Sequence, residues 1–277
     1  MPLNYKPLGA APSDQRLGRL IPDDDQHIKK YPYTAIKPAA VDRVEKILLL
    51  PVWHKTHNQG GSSACVPHAS SMERSITNST QNRLLRIVCP ARRYDPMWLW
   101  DQAKLADEWS DTNPGDNNGT SVRAAYDVLR VQGHRIIKKS GIKINPSSGF
   151  PEITDPNEAA PDPAQGVATN RWATTVDQIR TAVDDGLPVC IGVNWYSNFD
   201  DPVPKRGMFG QDEFWIGQGR LGTLEGGHSI CIYGASARRQ AFKAKNNWLD
   251  YPLVWLPYET MNGLLREDGE ACLVVDR

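Results

Sequence analysis

Residues 57–72 read HNQGGSSACVPHASSM, and one proline in this stretch governs how the rest of the chain is read. Proline lacks an N–H and is tolerated in a helix only in the first turn, so Pro67 predicts a helix that begins close to Cys65. The stripe Val66, Ala69, Met72 and Ile76 extends it over Ala64–Ile76 at steps of three and four. A thiol at a helix start meets unpaired backbone N–H groups and the positive end of the helix dipole. Both favour the thiolate, and with a nearby cation such thiols titrate at roughly 3.5–7.5. The alternative for a lone cysteine is a small buried core residue. Gly60-Gly61 just upstream lets another backbone or a substrate come close, which favours a reactive role.

A nucleophilic thiolate needs a base, a group to orient that base, and donors for an oxyanion. His228, in LEGGHSICIYG, is expected to open an apolar strand after two glycines. Eighteen residues further on the chain reads FKAKNNWLDYP, where the amide of Asn246 could fix the imidazole and Trp248 could shield that bond from water.

The 277 residues balance 32 Lys+Arg against 32 Asp+Glu, so no net field draws the chain to nucleic acid or anionic lipid. Neither nucleic acid nor membrane is expected as a partner. The N-terminus has no continuous apolar core of the signal-peptide kind, and no run of roughly 18 apolar residues suggests a membrane span. Five cysteines without tight repeated spacing argue against a disulfide framework. A cytoplasmic protein, or one carried in an assembled particle, is the expectation.

Residues 1–45 are polar and punctuated by prolines, which predicts an extended arm that either enters a cleft of the body or docks on a protein partner. Residues 46–277 are expected to form the main domain, beginning with a strand near 46–53. Helices over Asp95–Trp109 and Thr120–Gln132 join the first one in a helical lobe at about 60–140. From 140 to 172 the pattern collapses into Pro, Gly, Ser, Asp and Asn, which predicts a linker or lid loop. A helix over Thr175–Asp185 and strands at Pro188–Trp195, His228–Tyr233, Leu253–Leu256 and Ala271–Val275 then fill a β lobe at about 173–277. Helices first and strands last indicate an α+β protein with segregated halves.

The order Gln59, Cys65, His228, Lys245-Asn246-Asn247-Trp248 resembles that of papain-like cysteine peptidases, and is most similar to bacterial and viral members without a large helical propeptide. PVWHKTHNQGGSSAC, DNNGTSVRAAYDVLRVQGH, VDQIRTAVDDGLPVCIGV and WLPYETM are similar to further family segments and occur in the family's order. The resemblance implies a two-lobed fold, a helical half against an antiparallel β half, with the site in the cleft between them. It implies a Cys65 nucleophile, a His228 base, Asn246 orienting the base, and Gln59 with the Cys65 N–H as oxyanion donors. Asn118, Gly119, Gly227 and Trp248 would line the substrate groove, and the substrate would be a peptide or protein. Ser62 stands where secreted members carry a disulfide cysteine, and Asn-Asn-Trp-Leu replaces the family's Asn-Ser-Trp-Gly.

His54, His57 and His68 lie close in sequence, but no carboxylate or thiolate completes a ligand spacing, so neither metal nor other cofactor is expected. No Gly-x-Ser-x-Gly elbow suggests a serine hydrolase. The rival from another class is a papain-like module kept for binding or assembly, for example in a virus particle, without turnover.

Overall fold

The computed structural model describes residues 17–20, 45–51, 54, 57–84, 92–107, 117–137, 142–144, 151–153, 161–207 and 210–276. The remainder of the arm and Cys89 lie outside the described residues. In chain order the elements are β1 (Arg19–Leu20), β2 (Glu45–Ile47), α1 (Cys65–Leu84), α2 (Pro96–Ala106), β3 (Thr120–Ser121) and α3 (Val122–Val131). The hairpin β4 (Ile142–Ile144) and β5 (Pro151–Ile153) follows, then β6 (Val167–Trp172), α4 (Val176–Asp184), β7 (Val189–Tyr196), β8 (Val203–Arg206) and β9 (Asp212–Trp215). The chain ends with β10 (Leu224–Ser236), β11 (Ala241–Lys245), β12 (Val254–Pro257), α5 (Tyr258–Arg266) and β13 (Glu270–Asp276). This is an α+β fold, with α1–α3 on one side and a large sheet ordered β6-β13-β7-β10-β11-β12-β9-β8 on the other. Its pairs are antiparallel except β12 with β9, and β2 adds to β10.

The sheet divides two cores. Ile191, Val193 and Trp195 on β7 and Ile230 and Ile232 on β10 face Ile179 and Val183 of α4 and Met261 and Leu264 of α5. Cys190 and Cys272 face the other way, toward Val66 and Ala69 of α1 and Val122 and Tyr126 of α3. Period-two alternation along β7 and β13 produces this division, with Cys190 and Cys272 in one core and Ile191 and Ala271 in the other.

Helix α1 is the axis of the helical half, and it is buried although rich in serine. Four of its hydroxyls are satisfied by its own backbone: Ser70, Ser75, Thr77 and Ser79 donate to the carbonyls of Val66, Ser71, Glu73 and Ser75 at 2.8–3.0 Å. That removes the cost of burying them unpaired. Asp95 caps α2 by accepting from the Met97 and Trp98 amides, and Ser121 caps α3 by accepting from Ala124.

Several expectations change. Val167–Trp172, assigned by composition to the 140–172 loop, forms β6 and pairs with β13, with Trp172 opposite Cys272. Its polar residues Thr169, Asn170 and Arg171 are consecutive, so no period-two apolar pattern shows in the sequence, and burial falls on Val167, Asn170 and Trp172. β4 and β5 also fall in that segment. Strand β10 begins at Leu224, so His228 lies within it, paired with Val193, and does not open it. Helix α5 and strands β8 and β9 were not read from the sequence.

Glu73 on α1 is buried and accepts a hydrogen bond from the Tyr126 hydroxyl; burial pushes its carboxyl up to about 8, against the opposing effect of that bond. From its ordinary 4.5 up to about 8 the folded chain holds a proton that the unfolded chain has lost. This contribution to stability is therefore present at low pH and falls as pH rises through that window. Glu73→Gln keeps an acceptor for Tyr126 and has no proton to lose. Thermal unfolding at pH 7 and 8.5 is expected to show a smaller fall in Tm for the variant; equal falls would mean that Glu73 is ionised in the fold.

Candidate active site

Cys65 is the first residue of α1, and the loop before it is tightly fastened. Ser62 Oγ donates to the Gln59 carbonyl at 2.6 Å while Gln59 Nε2 donates to the Ser62 carbonyl at 2.8 Å. This reciprocal pair closes the loop where Ser62 replaces a disulfide cysteine of the resembled family. The Gln59 N–H reaches the Asn247 carbonyl at 2.8 Å, and the Ser63 N–H reaches Asn117 Oδ1 at 2.9 Å. The loop is thus tied to both halves of the molecule.

On the β side, His228 Nε2 donates to Asn246 Oδ1 at 2.8 Å, while Nδ1 has no hydrogen-bond partner. The ring therefore keeps its proton on Nε2 and a lone pair on Nδ1. Two indoles enclose it: Trp248 lies 4.8 Å away between ring centroids, and Trp195 stands edge-on at 4.6 Å. Asn247 joins the two halves, its amide donating to the carbonyls of Cys65 at 3.0 Å and Ser229 at 2.8 Å.

The cleft is filled by the chain's own arm. β1 pairs in parallel with β3, Arg19 opposite Thr120, and the Thr120 N–H donates to the Gly18 carbonyl at 2.9 Å. A Cβ on Gly18 would fall 1.8 Å from the Ser63 carbonyl oxygen, two residues before Cys65. Gly119 and Gly227 form the walls: a Cβ on Gly119 would fall 1.9 Å from the Gly18 carbonyl oxygen, and one on Gly227 2.5 Å from that of Arg19. Only glycine allows so close an approach.

This seal reverses one expectation. The helix start was expected to favour a thiolate, yet burial pushes the Cys65 thiol up to about 11, outweighing the backbone hydrogen bonds from Gly18, Ser229 and Val66 that lower it. Burial likewise holds His228 down at about 4 despite Asn246. With water excluded by Leu17–Leu20, the neutral thiol–imidazole pair is favoured over the ion pair.

The structure brings Cys65, Gln59, His228, Asn246 and Trp248 to one place and sets Gly119 and Gly227 against the arm. Asn118 is half-buried, and its carbonyl accepts from Trp100 Nε1 at 3.0 Å. Sequence reasoning missed Trp195, Asn247, Arg19 and Glu270. The last two form a buried ion pair at 2.9 Å. His57, expected in a polar loop, is buried against His68, with centroids 4.6 Å apart, and burial lowers it to about 3. Among the described residues no group of three or more His, Cys, Asp or Glu side chains forms a metal set.

No protein-family model and no curated protein matches the sequence. The fold, however, is shared with solved structures. Xylellain, a cysteine protease from Xylella fastidiosa, superposes with a TM-score of 0.66 at 15% identity, over 99% of this chain and 99% of that one. A procathepsin B from Trypanosoma congolense gives 0.60 at 12% identity over 94% of this chain and 86% of its own. Digestive procathepsin L 3 of Tenebrio molitor larval midgut gives 0.57 at 13% over 88% and 73%. The chain has the papain-like fold.

Proposed function

We propose that this chain is a cysteine peptidase working through an acyl-enzyme. The observation that carries the reading is the Nε2–Asn246 hydrogen bond, which leaves a lone pair on His228 Nδ1 in a strand that Asn247 ties to the Cys65 backbone. Cys65 passes its proton to His228, and the sulfur attacks the peptide carbonyl carbon. The Cys65 N–H and the Gln59 side-chain amide stabilise the oxyanion, and His228 returns the proton to the leaving amine. Water, with His228 as base, then releases the acyl group from sulfur. Asn246 holds the ring in the required tautomer, and the two indoles keep that bond dry.

The sealed, neutral cleft also favours a second reading, a module retained for binding without turnover. The two separate in one experiment on the full chain carrying Arg19→Ala, treated with an epoxide or iodoacetamide probe and supplied with fluorogenic peptides. The peptidase reading expects one label per chain, mapped to Cys65, and peptide hydrolysis; Cys65→Ala should remove both. Hydrolysis that survives Cys65→Ala, or labelling without any hydrolysis, would reject the acyl-enzyme.

A further inference from the structure

The Arg19 side chain occupies a built slot that the peptide chemistry above leaves unexplained. Its floor is Glu270, only 3% exposed, whose Oε2 accepts from Arg19 Nε at 3.0 Å and lies 2.9 Å from Nη2. The Asp268 carbonyl accepts from Nη2 at 2.5 Å. Asp268 itself has φ +61°, the left-handed turn that ends α5 and that aspartate tolerates, and this turn aims its carbonyl at the guanidinium. Gly192 forms the wall: a Cβ there would fall 2.6 Å from Arg19 Nε and 2.8 Å from both Arg19 Cδ and Val122 Cγ2. Gly227 forms the other side, where a Cβ would lie 3.3 Å from that of Arg19. Glu270 and Gly192 are register partners on β13 and β7, and Gly192 pairs with Ser229, the neighbour of His228. The slot therefore opens beside the thiol, one residue along from Gly18.

A carboxylate this deeply buried is costly without a cation beside it. When the arm leaves, Glu270 and the Asp268 carbonyl remain as two acceptors placed for a guanidinium, beside a wall that has no side chain at Gly192. We infer that this slot is the subsite for a basic side chain of the substrate, with Glu270 as the specificity-determining residue and Arg19 as its resident occupant. The inference rests on the peptidase reading for the word substrate, but the recognition of a guanidinium does not.

The test uses the full chain with Arg19→Ala and a set of acetylated alanine hexapeptide amides in which Arg or citrulline stands at each position in turn. Citrulline keeps the shape and removes the charge. For one position, kcat/KM is expected to favour Arg over citrulline at least ten-fold, and adding Glu270→Gln is expected to bring that ratio close to one. In parallel, binding of the same peptides to the Arg19→Ala, Cys65→Ala chain is measured by calorimetry, with the same expected ratio and the same loss on Glu270→Gln. Hydrolysis without preference for Arg overturns the slot and leaves the peptidase reading standing. Charge-dependent binding that Glu270→Gln removes, with no hydrolysis by the chain that retains Cys65, supports the slot and rejects the peptidase. Equal binding of Arg and citrulline overturns the slot whatever the hydrolysis.

Discussion

His228→Gln, in a chain freed of its arm, is expected to lower kcat/KM on a fluorogenic peptide by about 10⁴-fold or more, the scale seen when one member of a nucleophile–base pair is removed. Glutamine is the informative choice. Its terminal amide can still donate to Asn246 Oδ1, which His228 Nε2 reaches at 2.8 Å, but it offers no atom able to take the Cys65 proton. Alanine would confuse the result, because His228 is buried between Trp195 and Trp248 and truncation there opens a cavity costing about 2–4 kcal/mol. Near-ultraviolet circular dichroism, to which all nine tryptophans contribute, should be nearly unchanged in the glutamine variant. The loss should fall on kcat, since His228 acts in the proton transfers and not in holding the ground-state peptide. A glutamine variant that retains activity within ten-fold would remove His228 from the role of base.

What could be read in the sequence was whatever a local rule governs. Pro67 fixes the start of α1, and Asp95 and Ser121 cap their helices through side-chain oxygens two or three residues from the amides they serve. Glycines 119 and 227 stand where the arm comes close, and Asn246 lies where an amide was expected to meet His228. The rest depends on distant pairing. Arg19 and Glu270 are 251 positions apart, and neither is distinguished from other surface-type charges until the fold puts them together. Trp195 ends an apolar strand and reads as core; its edge-on contact with His228 exists only because β7 and β10 pair in one register. Asn247 was noted only as a departure from the family's serine. Its value lies in two hydrogen bonds, to Cys65 and Ser229, that no spacing rule encodes. The thiol's protonation went wrong for the same reason. Helix-start chemistry is local, but the water that would solvate a thiolate is excluded by residues 17–20, more than forty positions before Cys65.

Arg19→Ala is expected to raise the second-order rate of Cys65 alkylation by iodoacetamide at pH 7 by about 10²–10³-fold. The described part of the arm is held by a short parallel pairing to Thr120 and Ser121, by the hydrogen bond that the Gly18 carbonyl accepts, and by the Arg19–Glu270 pair. The pairing is only two residues long on each side and is readily replaced by water, so among the described residues the buried pair is the main anchor. Removing one partner of such a buried pair costs about 3–5 kcal/mol, and at 1.4 kcal/mol per decade the lower part of that range gives the expected factor. In the variant Glu270 regains water only if the arm leaves, so the open state is favoured. Opening then acts on the nucleophile itself. Water entering the cleft brings the Cys65 thiol down from about 11 and lets His228 rise from about 4, so the thiolate population at neutral pH grows. Glu270→Gln should move the rate in the same direction by stranding the guanidinium. A rate within two-fold of the parent chain for both variants would show that the ion pair does not hold the arm.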